Sequence, residues 1–270
     1  MSDYLFLTNI GDDFINSISI SKFVPNRRIK TKEYIEFKVV IYTQKKDALI
    51  WCKLDEVYFN DANNITLNSN DYDLDVGQLA VVVPCLLDFI CEDIIMSLPE
   101  PISRKLDSSP VNERATISFS RGELSSSYQG EFPFAMSRVK GTFLAFDALI
   151  GEPHKKVSSK IVFINIFSKE LPVKNTFSFN VANSSNKEII KTYEYVHNSA
   201  LIVDVDNMSD LSYVFYSKDT LGIPIFITYG EGEEFNLSVE HTHPPSELFW
   251  GDDKFYGQSL LKSKWMNTLP

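Results

Sequence analysis

The chain has 270 residues, of which 44% are hydrophobic and 23% charged, ordinary values for a globular protein of one large or two smaller domains. Its 20 Phe, 12 Tyr and 3 Trp exclude disorder as the main state, because so many apolar rings do not stay solvated. A formal net charge of −10 argues against broad binding to nucleic acid or to an anionic membrane, both of which call for a basic surface.

Taken in chain order, the first residues place Asp3 where a signal peptide carries a positive charge, and the apolar stretch after it is short. Charge is then segregated. Residues 22–46 hold eight Lys/Arg against two Glu, and residues 47–100 hold eleven Asp/Glu against one Lys. These blocks read as opposite solvated faces, as pairs across neighbouring strands, or as a basic patch for a phosphate or an acidic partner. Ile35, Phe37, Val39 and Ile41 alternate with Glu36 and Lys38, the period of a strand with one face on a core. Another strand-like run follows at 48–59.

Residues 79–98 combine a strand, Leu79–Val83, with an expected amphipathic helix over 84–98 that starts at Pro84, a residue suited to the first helical position. Leu86, Leu87, Ile90, Ile94, Ile95 and Leu98 recur at helical spacing, and Asp88, Glu92 and Asp93 face the other way. Those three acids also argue against a membrane span. Strand-like runs continue at 115–123, 141–149, 160–167, 177–181, 200–205, 213–216, 223–229 and 235–239, with turn-rich stretches at 60–64, 183–186, 206–210 and 230–234. Residues 252–267 read as a C-terminal helix, capped by Asp252 and striped by Tyr256, Leu260, Leu261 and Trp265.

Strands that follow strands favour antiparallel sheets over βαβ units. The expected fold is therefore all-β: one or two antiparallel β-sandwiches with one internal amphipathic helix and a short C-terminal helix. No sequence repeat is visible. The polar stretch 151–159 suggests a β-rich N-terminal domain over 1–150 and a sandwich-like C-terminal domain over 151–270, or one continuous unit. Cys52, Cys85 and Cys91 form an odd set without Cys-X-X-Cys, which suits free thiols in a reducing compartment. Sequons at Asn64, Asn183, Asn207 and Asn236 matter only in a secreted chain. A cytoplasmic location is expected.

Two constellations are candidates for chemistry. Within residues 239–247, Val-Glu-His-Thr-His-Pro-Pro-Ser-Glu, His241 and His243 share a strand face, and the prolines turn the chain so that Glu247 can approach them. Two imidazoles and a carboxylate suit one divalent metal, Zn, Mn or Fe, with open coordination positions. The spacing His-X-His-X3-Glu is similar to the first metal motif of the cupin family. Residues 248–270 contain no further His, so the remaining ligand that the resemblance implies would come from His197 or His154. The structural reading makes the pair hydrogen-bonded histidines beside a turn.

The second cluster spans residues 118–138 and gathers Arg121, Glu123, Tyr128, Gln129, Glu131 and Arg138 beside Phe132 and Phe134. Flat rings next to planar hydrogen-bonding groups suit a sugar or another polyhydroxylated ligand, and an Arg there can also fork onto a carboxylate or phosphate. The rival is a polar loop with its aromatics in the core. Asp71, Asp73 and Asp75 with Gly77 depart from an EF-hand loop. Gly-X-Ser-X-Gly, Gly-X4-Gly-Lys-Ser/Thr and Gly-X-Gly-X-X-Gly motifs are absent. His197 reads as a packed, hydrogen-bonded ring.

The sequence thus favours a recognition or assembly module for a polar small molecule or glycan. The alternatives are a metal-dependent enzyme acting through His241, His243 and Glu247 on a sugar or small acid, and a structural homo-oligomer.

Overall fold

The computed structural model describes residues 4–11, 13–21, 37–45, 49–60, 64–101, 115–129, 142–145, 157–167, 176–183, 185–205, 213–220, 222–230, 237–241, 264 and 266–270. Almost everything described is antiparallel sheet. The chain clusters into two compact units, Met1–Phe134 with Ile166–Pro172 and Ala135–Asn165 with Val173–Pro270.

The first unit contains β1 (Leu5–Thr8), β2 (Phe14–Ser21), β3 (Phe37–Gln44), β4 (Trp51–Tyr58), β5 (Asn64–Asn68), β6 (Leu79–Leu86), β7 (Ile94–Ile95), β8 (Thr116–Arg121) and β9 (Leu124–Gln129). They form one sheet in the order β1-β6-β3-β4-β7 and another in the order β5-β2-β8-β9. One apolar core draws on both: Leu5, Val39, Ile41 and Val82 from the first sheet meet Ile18, Ile20 and Leu67 from the second. The alternation seen at 35–41 produces this, because odd residues of β3 reach the core. A buried Asn16 ties the sheets together. Its Oδ1 accepts from the Thr8 amide at 2.9 Å, and its Nδ2 donates to the Ser118 carbonyl at 3.0 Å.

The second unit contains β10 (Thr142–Ala145), β11 (Val157–Ile164), β12 (Thr176–Asn183), β13 (Ile189–Val196), β14 (Ala200–Asp204), β15 (Tyr213–Ser217), β16 (Ile223–Gly230) and β17 (Leu237–His241). Its sheets run β10-β15-β12-β13 and β14-β11-β16-β17. Their shared core is aromatic: Phe179 stacks on Phe215 at 4.4 Å between ring centres, and Phe163 meets Phe179 at 4.1 Å. Gly222 lies against the Phe163 ring and the Ile164 carbonyl so closely that a Cβ has no room there.

The two units repeat one topology. With the two-residue β7 set aside and the other strands of each unit numbered one to eight, both read 1-6-3-4 in one sheet and 5-2-7-8 in the other. Placing the eighth strand first turns these orders into 2-7-4-5 and 6-3-8-1, the two layers of an eight-stranded jelly roll. The equivalent hairpins β3–β4 and β12–β13 both carry a register shift, which leaves Leu54 and Ile190 as the extra residues on their second strands. No residue pattern announces this repeat, since each unit fills the same scaffold with different side chains.

The expected helix over 84–98 is absent. Leu79–Leu86 is one strand, almost wholly buried between β1 and β3. A strand buried on both faces reads as an unbroken apolar run, which periodicity cannot tell from a buried helix. Pro84 is tolerated because the β1 ladder reaches only Leu5–Val82 and Pro84 lies beyond its end, where a missing N–H costs little. Leu87, Ile90 and Ile94, assigned to a buried stripe, are exposed. At the other end of the chain, helix is confined among the described residues to a short turn at 264 and 266–268; most of the expected helix over 252–267 lies outside them. Met266 and Leu269 from this turn pack on Ala182, Val214 and Tyr216, and the Tyr216 hydroxyl donates to the Pro270 carbonyl at 3.0 Å. Among the described residues no helix is long and apolar enough to cross a membrane.

The oppositely charged blocks meet across strands where Lys38 donates to Glu56 at 2.7 Å; Lys53, the one Lys of residues 47–100, pairs within its own block with Asp93 at 2.8 Å. Hydrogen bonds from Lys38 and then from the Tyr58 hydroxyl hold the Glu56 carboxyl below its usual range.

Candidate functional site

The β8–β9 hairpin carries the described part of the 118–138 cluster, and strand alternation divides it between two faces. Phe14, Asn16, Ile18 and Ile20 of β2 point inward, so Ile15, Ser17, Ser19 and Ser21 point outward. On β8, Ile117 and Phe119 are buried while Thr116, Ser118 and Ser120 are outward; on β9 the outward residues are Ser125, Ser127 and Gln129. Asn64, Thr66 and Asn68 complete the surface from β5.

Register arranges these residues in rows. Thr66, Ser19, Thr116 and Gln129 stand opposite one another across the four strands; Asn68, Ser17, Ser118 and Ser127 form the next row, and Ile15, Ser120 and Ser125 the row beyond. Sheet geometry sets such positions roughly 4.8 Å apart across strands and about 6.8 Å apart along them. The Ser21 hydroxyl donates to Asn64 Oδ1 at 2.7 Å at the open corner. The result is a face of hydroxyls and amides broken by Ile15; none of its strand positions is charged, and at its edge the Asn68 amide donates to the Asp71 carboxylate at 3.2 Å. A hydroxyl donates one hydrogen bond and accepts two, and an amide offers both functions at fixed angles.

The singled-out residues fall around this face. Gln129 lies on it. Glu123 is exposed in the tight turn that Gly122 opens with φ of 58°. Arg121, at the end of β8, belongs to the opposite parity and lies over the Phe14 ring, 5.7 Å from its centre, a cation–π arrangement. Tyr128 points into the core opposite Ile117, and burial pushes its phenol far above the usual range; it faces away from any ligand on the outer surface. Glu131 and Arg138 lie outside the described residues. The residues that sequence reading missed are Ser17, Ser19, Asn64, Thr66 and Asn68. The Ile-Ser alternation of residues 14–21 carried the signal for β2. Nothing local pointed to its pairing with β5 and β8.

The metal constellation is described only in part. His241 ends β17, with its backbone opposite Ile225; His243, Glu247 and His154 lie outside the described residues. Among the described residues, no three His, Cys, Asp or Glu side chains are grouped to hold an ion.

His197 is a packed ring, as its sequence context suggests. Asn165 donates its amide to Thr220 Oγ1 at 3.1 Å, which turns its Oδ1 toward His197 Nδ1 at 2.6 Å. The proton therefore sits on Nδ1. The ring also meets Phe177 at 3.8 Å between centres. Burial lowers the His197 pKa to about 4, so the ring is neutral at neutral pH.

No known family, characterised protein or solved structure matches the chain. Function has to be read from the surfaces themselves.

Proposed function

We propose that the protein is a non-catalytic recognition module for a neutral, polyhydroxylated ligand of the glycan class, seated on the outer face of the β5-β2-β8-β9 sheet. One observation carries this reading: of thirteen outward positions on four strands, twelve are Ser, Thr, Asn or Gln and the other is Ile15, with none charged. Protein surfaces are about 25–35% charged, so a merely solvated face of that size carries three or four Lys, Arg, Asp or Glu. A glycan presents hydroxyls that both donate and accept, and rotatable hydroxyls with fixed amides answer them without drawing counter-ions. Short side chains leave the face shallow, which favours an extended chain lying across it. Arg121 and Glu123 stand at the hairpin end as rim contacts.

The test is retention on immobilised neutral polysaccharides (xylan, chitin and a β-glucan), comparing wild type with Ser127→Glu/Gln129→Glu and with Arg121→Ala. The double variant is expected to weaken retention at least tenfold, since two carboxylates replace groups that both donate and accept. Arg121→Ala is expected to weaken it less. Equal retention of all three proteins, or none by wild type, overturns the reading.

A further inference from the structure

The repeated topology exposes one difference that bears on assembly. β4 and β13 are equivalent strands, each the outer partner of its hairpin. The outer edge of β4 is covered within the chain: β7 pairs Ile95 with Trp51 and Ile94 with Cys52, and the Lys53 amide donates to the Asp93 carbonyl at 2.9 Å. The segment that does this belongs to residues 87–115, between β6 and β8. Its counterpart in the second unit, between β15 and β16, is only residues 218–222. That loop is too short to travel to the sheet edge. Among the described residues β13 pairs with β12 alone, and its other edge carries no strand.

An open edge is a template for another strand, and proteins commonly blunt it with charge, proline or a cover. β13 has no proline; it carries two exposed charges of opposite sign, Lys191 and Glu194, and Ile189, Ile190 and Val196 are 43%, 48% and 40% exposed. The bulge is on this strand but leaves 191–196 regularly paired on the inner side.

The strand is also self-complementary. Two copies related by a twofold axis normal to the sheet pair antiparallel with like parity opposite like. Centred on Tyr193, this sets Thr192 opposite Glu194 of the second copy within the regular stretch 191–196 and brings Val196 to Ile190, the extra residue of the bulge. Aliphatic then meets aliphatic twice, polar meets polar twice, and no like charges are opposed. Centring on Thr192 instead sets Ile190 against Glu194.

We infer that β13 joins β13 of a second copy of this chain, in antiparallel register about Tyr193, so that two four-stranded sheets become one continuous sheet across a twofold axis. A symmetric pair of this kind closes on itself and does not grow into a fibre.

Sedimentation equilibrium of the full chain is expected to give twice the chain mass, and Ile190→Lys/Val196→Lys to return it to one chain mass with unchanged far-ultraviolet circular dichroism. Both substituted positions are exposed, and in the pair each Lys faces a Lys. Register is read separately: under mild oxidation Thr192→Cys/Glu194→Cys is expected to form a covalent dimer, whereas Thr192→Cys alone and wild type, with its native Cys52, Cys85 and Cys91, do not. Opposite Cβ atoms are close enough for a disulfide and diagonal ones are not. A wild-type monomer at the highest soluble concentration overturns the inference, as does a dimer that survives the double Lys substitution. A dimer that Thr192→Cys alone cross-links as well overturns the register.

Discussion

The two units share a strand order and differ wherever that order meets its surroundings. The sheet β5-β2-β8-β9 turns hydroxyls and amides outward. Its equivalent, β14-β11-β16-β17, turns Val162, Ile164, Ile225 and Ile227 to the corresponding side, and all four are buried. The edge beside β4 is covered by β7, while among the described residues no strand pairs with the outer edge of β13. The joints between sheets differ too: a hydrogen-bonded Asn16 in the first unit, a tilted contact of Phe163 with Phe179 in the second, where Phe179 also stacks on Phe215 of its own sheet. One scaffold thus supports two chemistries, because the topology constrains only the inward face of each strand. Outward residues and edges were left to diverge.

The largest test of this contrast strikes the aromatic joint. Phe163→Ala removes a fully buried ring and is expected to destabilise the second unit by about 3–5 kcal/mol. In the first unit, Asn16→Ala strands the Thr8 amide and the Ser118 carbonyl, each worth roughly 1–3 kcal/mol when left unsatisfied. Differential scanning calorimetry is expected to show each substitution lowering one transition and sparing the other. A common shift of both transitions breaks the picture of two separate cores.

A third test uses pH: His197 of the second unit responds as pH falls from 6.5 toward 4, whereas the depressed Glu56 carboxyl of the first unit responds only as pH falls through about 4.5 and below. The folded state holds His197 at about 4 against an ordinary 6.5, so unfolding takes up a proton between those values. The contribution of this ring is complete above pH 6.5, declines as pH falls toward 4, and is flat below that. With partial access to water allowed for, the loss is about 1–3 kcal/mol. His197→Asn keeps a donor near Asn165 and is expected to flatten the dependence in chemical unfolding at pH 7 and pH 4.5. An unchanged slope assigns it to other groups.

A fourth substitution makes the two edges alike. Replacing Asp93-Ile94-Ile95 by Gly-Ser-Gly uncovers β4 and is expected to add species larger than a dimer by light scattering, since β4 then offers the same unpaired edge as its equivalent β13. The smallest effect belongs to Lys53→Ala. Its partner Asp93 is almost fully exposed, and an ion pair in water contributes little, so the first unit is expected to melt unchanged.

Much of the strand content was legible because a one-sided strand writes its burial into every second residue, as Ile117 and Phe119 of β8 do; at β3 the alternation of Phe37, Val39 and Ile41 marked the strand although both its faces are buried. The C-terminal half was read nearly strand by strand, from the run at 160–167 to that at 235–239, with β13 missing from the runs. The buried strand Leu79–Leu86 was legible only to Val83, since a proline and a continuous apolar run fit two structures equally well. The candidate face was legible in fragments. Ser125, Ser127 and Gln129 stood out as a polar stretch, but they read as loop rather than strand. Tyr128, grouped with them by sequence, turned inward with its parity.

The amino-acid order by itself determined that the protein is built of antiparallel strands, and which side of most of them is apolar. Only tertiary structure decided that β5, β2, β8 and β9 lie side by side, bringing Asn68, Ser17, Ser118 and Ser127 into one row from positions far apart in the chain. It also decided that β7 covers β4, while among the described residues β13 pairs with β12 alone. The physical reason is that alternation is a property of a single strand, set by where consecutive side chains point. Register and edges are properties of pairs, decided by hydrogen-bonded ladders between segments that carry no mark of one another until the core closes.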